Sequence, residues 1–199
     1  MDYLYIYRMT ADNGFAPCVD KGLLSLACCK GGQMRGEKVI NTGLRYRIGA
    51  KRDADYTKDN VYIIGTYHDK LLYYARITDV VTMEQYFSEL SKGRTDNIYC
   101  VANGRLERND WLRDKEVHTD PDRIKKDIAG KFVLLSRDYL YLGKDAIAVE
   151  IVSDYNAKFQ ETKTYKGKTA RKIIEECKKY HDKRRHAPTS PYRNTRCCR

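Results

Sequence analysis

Apolar and polar positions alternate from the second residue onward. Residues 2–9 (DYLYIYRM) are rich in aromatic and β-branched types, which predicts an opening strand. Residues 10–36 lose that period and gain Gly, Pro and Asp, the make-up of a long structured loop, uncommon in a compact domain unless functional or disordered. Over 37–48 (EKVINTGLRYRI) the pattern predicts a short hairpin about Asn41, Thr42 and Gly43, and 50–60 reads as a charged turn or insertion. Residues 60–67 and 70–80 are apolar and β-rich, with His68 and Asp69 between them, so they predict an antiparallel hairpin.

Thr82 with Gln85 fits a capping box, Met83, Tyr86, Phe87 and Leu90 recur at helical spacing, and Gly93 stops that short helix. The polar stretch 95–127 is broken by a predicted strand at 97–102 and by Trp111, and further strands are predicted at 130–137, 139–142 and 146–152. Ala170, Ile173, Ile174, Cys177 and Tyr180 share one face of a helix over 169–183. The order predicts an α+β, mainly β protein: a small curled antiparallel sheet or barrel with a short inserted helix and a C-terminal helix. The expected organisation is one domain over 1–166, an amphipathic helix over 167–185 and a flexible basic tail over 186–199.

Composition narrows the setting. At 199 residues the chain suffices for one core, and no run is long and apolar enough for a membrane helix. The first residues lack signal-peptide features, so a cytoplasmic protein without a membrane partner is expected. Seven cysteines are odd in number, and the adjacent pairs Cys28-Cys29 and Cys197-Cys198 are poorly spaced for zinc, so reduced thiols and no metal are expected. Cys28 and Cys29 are the candidates for a reactive thiol because Lys30 follows them and a cation favours the thiolate. Of the net charge of +11, six Lys or Arg fall in 183–199 with no acid, which marks the tail as a candidate DNA or RNA contact or a solubilising end.

Several segments taken in order resemble the nucleotide modification associated domain 2 family of bacterial and phage proteins. They are Asp12-Asn13-Gly14-Phe15-Ala16-Pro17, Leu26-Ala27-Cys28-Cys29-Lys30, the Asn60 to Thr66 and Leu72 to Thr78 segments, Thr82 to Phe87, Asn97-Ile98-Tyr99, His118-Thr119-Asp120, Lys131 to Ser136, and Tyr139 to Gly143. The chain departs from that pattern in an insertion over 36–57 and in Tyr67, which replaces the second glycine of a Gly-Thr-Gly turn. The resemblance implies a link to modified nucleotides or bases. The chain also resembles, more distantly, the PUA-like barrels that read flipped or modified bases. Together these resemblances imply a binder of a nucleotide or modified nucleobase, free or in nucleic acid. The expected setting is phage DNA modification or anti-defence, including the sequestering of a nucleotide signal.

Candidate ligand contacts are Phe15, Tyr67 and His68 for a base, Thr66 at the same turn, and Lys30, Arg35 and Arg76 for phosphate, the first two flanking Gly31-Gly32. The enzyme alternative rests on His118, Asp120 and Asp122, which would share one face of a strand, or on Cys28 or Cys29. No P-loop ending, nucleophile elbow or deaminase signature occurs, so no cofactor is expected and no oligomeric state is set.

Overall fold

A computed structural model describes residues 1–40, 43–109, 118–158 and 161–183. Trp111 and the basic tail beyond residue 183 lie outside them. In chain order the strands are β1 (Asp2–Arg8), β2 (Cys18–Asp20), β3 (Leu23–Leu26), β4 (Gln33–Arg35), β5 (Lys38–Ile40), β6 (Asn60–Tyr67), β7 (Lys70–Arg76), β8 (Asp79–Thr82), β9 (Tyr99–Ala102), β10 (Arg105–Arg108), β11 (Phe132–Ser136), β12 (Asp138–Tyr141) and β13 (Thr162–Lys166). The α-helices are α1 (Leu44–Gly49), α2 (Met83–Gln85), α3 (Pro121–Ile128), α4 (Glu150–Asp154) and α5 (Gly167–Lys183).

Two compact units result. The first comprises Met1–Asn13, Ala54–Thr78 and Ser136–Arg199. Its sheet runs β12-β7-β6-β1-β13, open at both edges, so the protein is α+β with small open sheets and has no closed barrel among the described residues. One pairing departs from the antiparallel expectation: β1 runs parallel to β6, Tyr3 opposite Val61 and Tyr7 opposite Gly65. A parallel partner needs a long crossover, and residues 9–59 supply one.

The helix α5 lays Ala170, Ile173, Ile174 and Cys177 on Leu4, Ile6, Tyr62, Ile64 and Tyr74 of this sheet. The β6–β7 hairpin forms as its pattern predicts, turning through His68 and Asp69 with φ of 47° and 59°, the left-handed pair that a tight two-residue turn requires. Three buried tyrosines of this unit have paired hydroxyls: Tyr7 and Tyr73 meet at 2.7 Å, and Tyr141 donates to Asp12 at 2.7 Å. Gly65 must be glycine here, since a Cβ would sit 2.1 Å from the Tyr73 ring.

The second unit comprises Gly14–Asp53 and Asp79–Leu135. It holds the sheet β2-β3-β11-β8 and the ribbons β4-β5 and β9-β10. The capping box forms, Thr82 Oγ1 accepting from the Gln85 N–H at 3.2 Å and Gln85 Oε1 accepting from the Thr82 N–H at 3.1 Å. Met83, Tyr86 and Phe87 thereby enter a core with Ala27, Cys28, Ile98, Tyr99, Val133 and Leu135.

Several segments differ from their patterns, among them the strand expected over 70–80, which ends at Arg76 before β8 starts at Asp79, and the polar stretch 95–127, which contains α3. Residues 10–36, read as a loop, contain the β2–β3 hairpin, turned at Lys21 and Gly22 with φ of 51° and 71°. The hairpin expected over 37–48 is displaced upstream: β5 pairs with β4 about Gly36, and 44–49 coil into α1 because Leu44, Arg45 and Ile48 are buried at helical spacing. At 146–152 only Ile147 bridges Leu71, after which Val149 and Val152 reach the core from the start of α4.

Candidate functional site

In the second unit, β3 delivers Ala27 and Cys28 fully buried. Along a strand the next side chain would point to the opposite face. Cys29 and Lys30 instead take φ of 54° and 50°, and His118 takes 54°, left-handed conformations that cost a non-glycine residue about 1–3 kcal/mol and cluster at functional sites. The break in alternation puts both sulfurs on one side, and the two Sγ atoms and a ring nitrogen of His118 lie within 4.8 Å of one another.

His118 Nδ1 lies 2.7 Å from Asp127 Oδ2, with both side chains buried, which leaves Nε2 as the nitrogen available to sulfur. The same carboxylate receives the Tyr99 hydroxyl at 2.8 Å and the Cys29 N–H at 2.7 Å. Asp127 occupies the last turn of α3, where the helix dipole disfavours an acid, so these contacts and not local preference hold it there. The Cys28 thiol is lowered by its hydrogen bond with Cys29 and by the His118 charge, with burial opposing them. Burial pulls the His118 imidazole down, but the Cys28 sulfur and the Asp127 carboxylate outweigh it and raise its pKa. A thiolate and an imidazolium are thus each favoured by the other.

Arg45 underlies the centre. Its fully buried guanidinium donates from Nε to the Cys29 carbonyl at 2.7 Å, from Nη1 to the Phe132 carbonyl at 2.7 Å and from Nη2 to the Asp127 carbonyl. Gly31 and Gly130 make room for it: a Cβ on Gly130 would lie 2.5 Å from Arg45 Cζ, and one on Gly31 would lie 2.1 Å from the Lys126 carbonyl oxygen. Gly31-Gly32 is therefore packed against protein, and the face of Gly31 imagined for phosphate is filled.

Of the ligand candidates in this unit, Phe15 is half-buried against the core and its carbonyl accepts from Cys28 Sγ at 3.5 Å. Lys30, half-buried, follows Cys29 and accepts the Arg45 N–H through its carbonyl at 3.2 Å; Arg35 is exposed on β4. Asp120 and Asp122 do not share a strand face with His118: Asp120 caps α3 by accepting the Asp122 N–H at 2.9 Å, and Asp122 pairs with Lys125, both acids being exposed. Pro121 at the first helical position turns that stretch into a helix start.

In the first unit, Thr66 is buried and its hydroxyl donates to Asn156 at 2.8 Å, Tyr67 is buried edge-on to His68, and His68 is exposed at the hairpin tip. Arg76 sits opposite Asp138 and pairs with it at 2.8 Å on the surface, so its guanidinium is not an inward-facing cation. Asp127 and Arg45 went unread in the sequence, and Tyr99 was marked only within a segment of the family resemblance. An acid against the dipole at Asp127 and an arginine between the paired apolar positions Leu44 and Ile48 were the available signals.

The buried thiols outside the centre differ in kind. Burial pushes Cys18 and Cys177 up to about 12. Iodoacetamide mapping of the native protein under mildly alkaline conditions is expected to label half-exposed Cys100 and spare Cys18 and Cys177; equal rates at all three would contradict it. A thiol held protonated in the fold and ionised in the unfolded chain loses stability as pH rises. Urea midpoints should therefore fall from the ordinary thiol value of 9.0 towards 12.

The fold and site define a mixed α+β protein of small open sheets that carries a buried Cys-Cys-His-Asp centre. The chain belongs to the family described as nucleotide modification associated domain 2, whose model matches residues 1–194. No curated protein and no solved structure matches it. No helix among the described residues is long and apolar enough to cross a membrane.

Proposed function

We propose that this protein modifies a nucleotide or nucleobase and that the chemistry takes place at Cys28, Cys29, His118 and Asp127. The observation that carries the reading is the convergence of two sulfurs and an imidazole from distant parts of the chain, with the imidazole oriented by a buried carboxylate at 2.7 Å. Thiol, base and orienting acid are the parts that nucleophilic or acid–base catalysis uses. Half-buried Cys29 is the sulfur nearer solvent, and Lys30 beside it supplies a cation for a phosphate.

The test is incubation of the whole chain with a panel of nucleotides and short DNA, with mass spectrometry of the products. Turnover is expected to fall about 10²–10⁴-fold in Cys29→Ser and His118→Asn, with Cys100→Ser unchanged. Tight binding of a nucleotide recovered unaltered would overturn the catalytic reading.

That outcome would favour a second reading, carried by the net charge of +11. Here the protein holds a nucleotide or modified base without changing it, in phage DNA modification or as an anti-defence sponge for a nucleotide signal, within the cytoplasm. A steep salt dependence would point to DNA or RNA, a shallow one to a free nucleotide.

A further inference from the structure

We propose that Cys28 Sγ, Cys29 Sγ and His118 Nε2 bind a single soft divalent transition-metal ion, zinc foremost, with Asp127 orienting the histidine and the fourth position open to water or substrate. This deepens the reading of the same centre as the reactive one and rests on it for any role in turnover.

Geometry argues first. Zinc–sulfur bonds of about 2.3 Å in a tetrahedron put donors roughly 3.8 Å apart. The three donors already lie within 4.8 Å of one another, so a contraction of about an ångström, within reach of side-chain rotation, closes the set. Two sulfurs also ask for an explanation that catalysis by one thiol does not supply. Neighbouring strand residues diverge, and it is the left-handed backbone at Cys29 that turns the second sulfur towards the histidine.

The surroundings argue next. A metal-bound histidine almost always donates its other ring N–H to a carboxylate, which fixes the ring and raises its basicity. His118 has that partner in Asp127 at 2.7 Å, and the carboxylate is steadied in turn by the Tyr99 hydroxyl and the Cys29 N–H. Two thiolates and one imidazole are the donors that select zinc over magnesium or calcium.

Charge balances as well. Binding releases to solvent every proton on the two sulfurs and on His118 Nε2, leaving two thiolates and a neutral imidazole protonated at Nδ1, so the ion and its two sulfurs are neutral together. The Asp127 carboxylate remains, in the same buried region as the Arg45 guanidinium. Among the described residues the donor set stops at three, the number that catalytic zinc sites use when they keep one position for water. Adjacent cysteines pair here with a histidine far along the chain, so linear spacing does not reveal the set.

The experiment is metal analysis of the whole chain, purified reduced and without a chelating tag, together with anaerobic cobalt(II) titration. Roughly one equivalent of zinc is expected, and cobalt should give thiolate charge-transfer absorption and the strong visible bands of a tetrahedral site. Cys28→Ser, Cys29→Ser and His118→Asn should abolish both signals, while Asp127→Asn weakens affinity about 10–100-fold. Cys100→Ser should keep both. Because a ligand variant can misfold, circular dichroism of each accompanies the titration, and Cys197→Ser with Cys198→Ser, which should keep both signals, separates this site from the other adjacent pair. Cobalt without charge-transfer absorption, zinc that persists in Cys28→Ser, or a chain lighter by two hydrogens from a Cys28–Cys29 disulfide would each overturn the site. Metal binding without turnover would leave the site standing and remove the catalytic reading; turnover without metal would do the reverse.

Discussion

Arg45→Met should lower unfolding free energy by about 3–5 kcal/mol, read as a drop in the urea midpoint without change of slope. Methionine keeps the buried stem but removes the donors to the carbonyls of Cys29, Phe132 and Asp127. A buried acceptor stripped of its partner costs about 1–3 kcal/mol, and the glycines shaped around the guanidinium, Gly31 and Gly130, leave a cavity behind. Function should go with stability, because one side chain fixes both the segment bearing Cys29 and the end of α3 bearing Asp127. Arg45→Lys keeps the charge and loses the fork, so it should recover only part of the loss. An Arg45→Met protein with an unchanged midpoint would show that those carbonyls find other donors.

The second large effect is expected at Asp96→Ala, again about 3–5 kcal/mol. Arg94 and Asp96 are buried in the second unit and joined at 3.2 Å. Around them Tyr86 donates to Asp96 at 2.7 Å, Ser25 donates to it at 2.5 Å, and Arg94 reaches the Leu23 carbonyl at 3.2 Å and the Ser25 hydroxyl at 3.1 Å. Burial works against the Arg94 charge and Asp96 more than restores it, so its pKa is raised. Alanine at 96 leaves a guanidinium stranded in the core. Replacing both partners with apolar residues, as in Arg94→Met with Asp96→Leu, should cost much less than the single change, because no charge is then left buried. A double-mutant cycle with no coupling between the two would refute this account.

What could be read from the chain tracks the range over which each signal acts. The β6–β7 hairpin, the Thr82–Gln85 cap and the buried stripe Ala170, Ile173, Ile174 and Cys177 of α5 are set by neighbours a few residues apart, and their patterns were legible. The parallel pairing of β1 with β6 was not, since alternation is the same whichever neighbour a strand takes. Helix α1 was hidden because its buried face includes an arginine, whose partners come from residues 29, 127 and 132. Fully buried rings such as Tyr5, Tyr73, Tyr74, Tyr86 and Tyr99 serve the core, a role that a count of tyrosines does not distinguish from base stacking.

The centre itself was half legible. Cys28, Cys29 and His118 were each marked, but as alternatives within one enzyme reading and not as partners, because nothing local links residues so far apart. Asp120 and Asp122 drew attention through proximity to His118, whereas Asp127, at the far end of the same helix, is the acid that reaches it.

The place of β1 between β6 and β13 also sets an order of events during synthesis. During synthesis β1 gains its parallel neighbour only once Asn60–Tyr67 have emerged and its antiparallel one only once Thr162–Lys166 have followed. Until then the nascent chain carries an apolar strand with an unsatisfied edge, the kind of surface that pairs with other chains. A chain that stops before β13 would therefore leave the edge of β1 from Tyr3 to Tyr7 open to pairing with other chains.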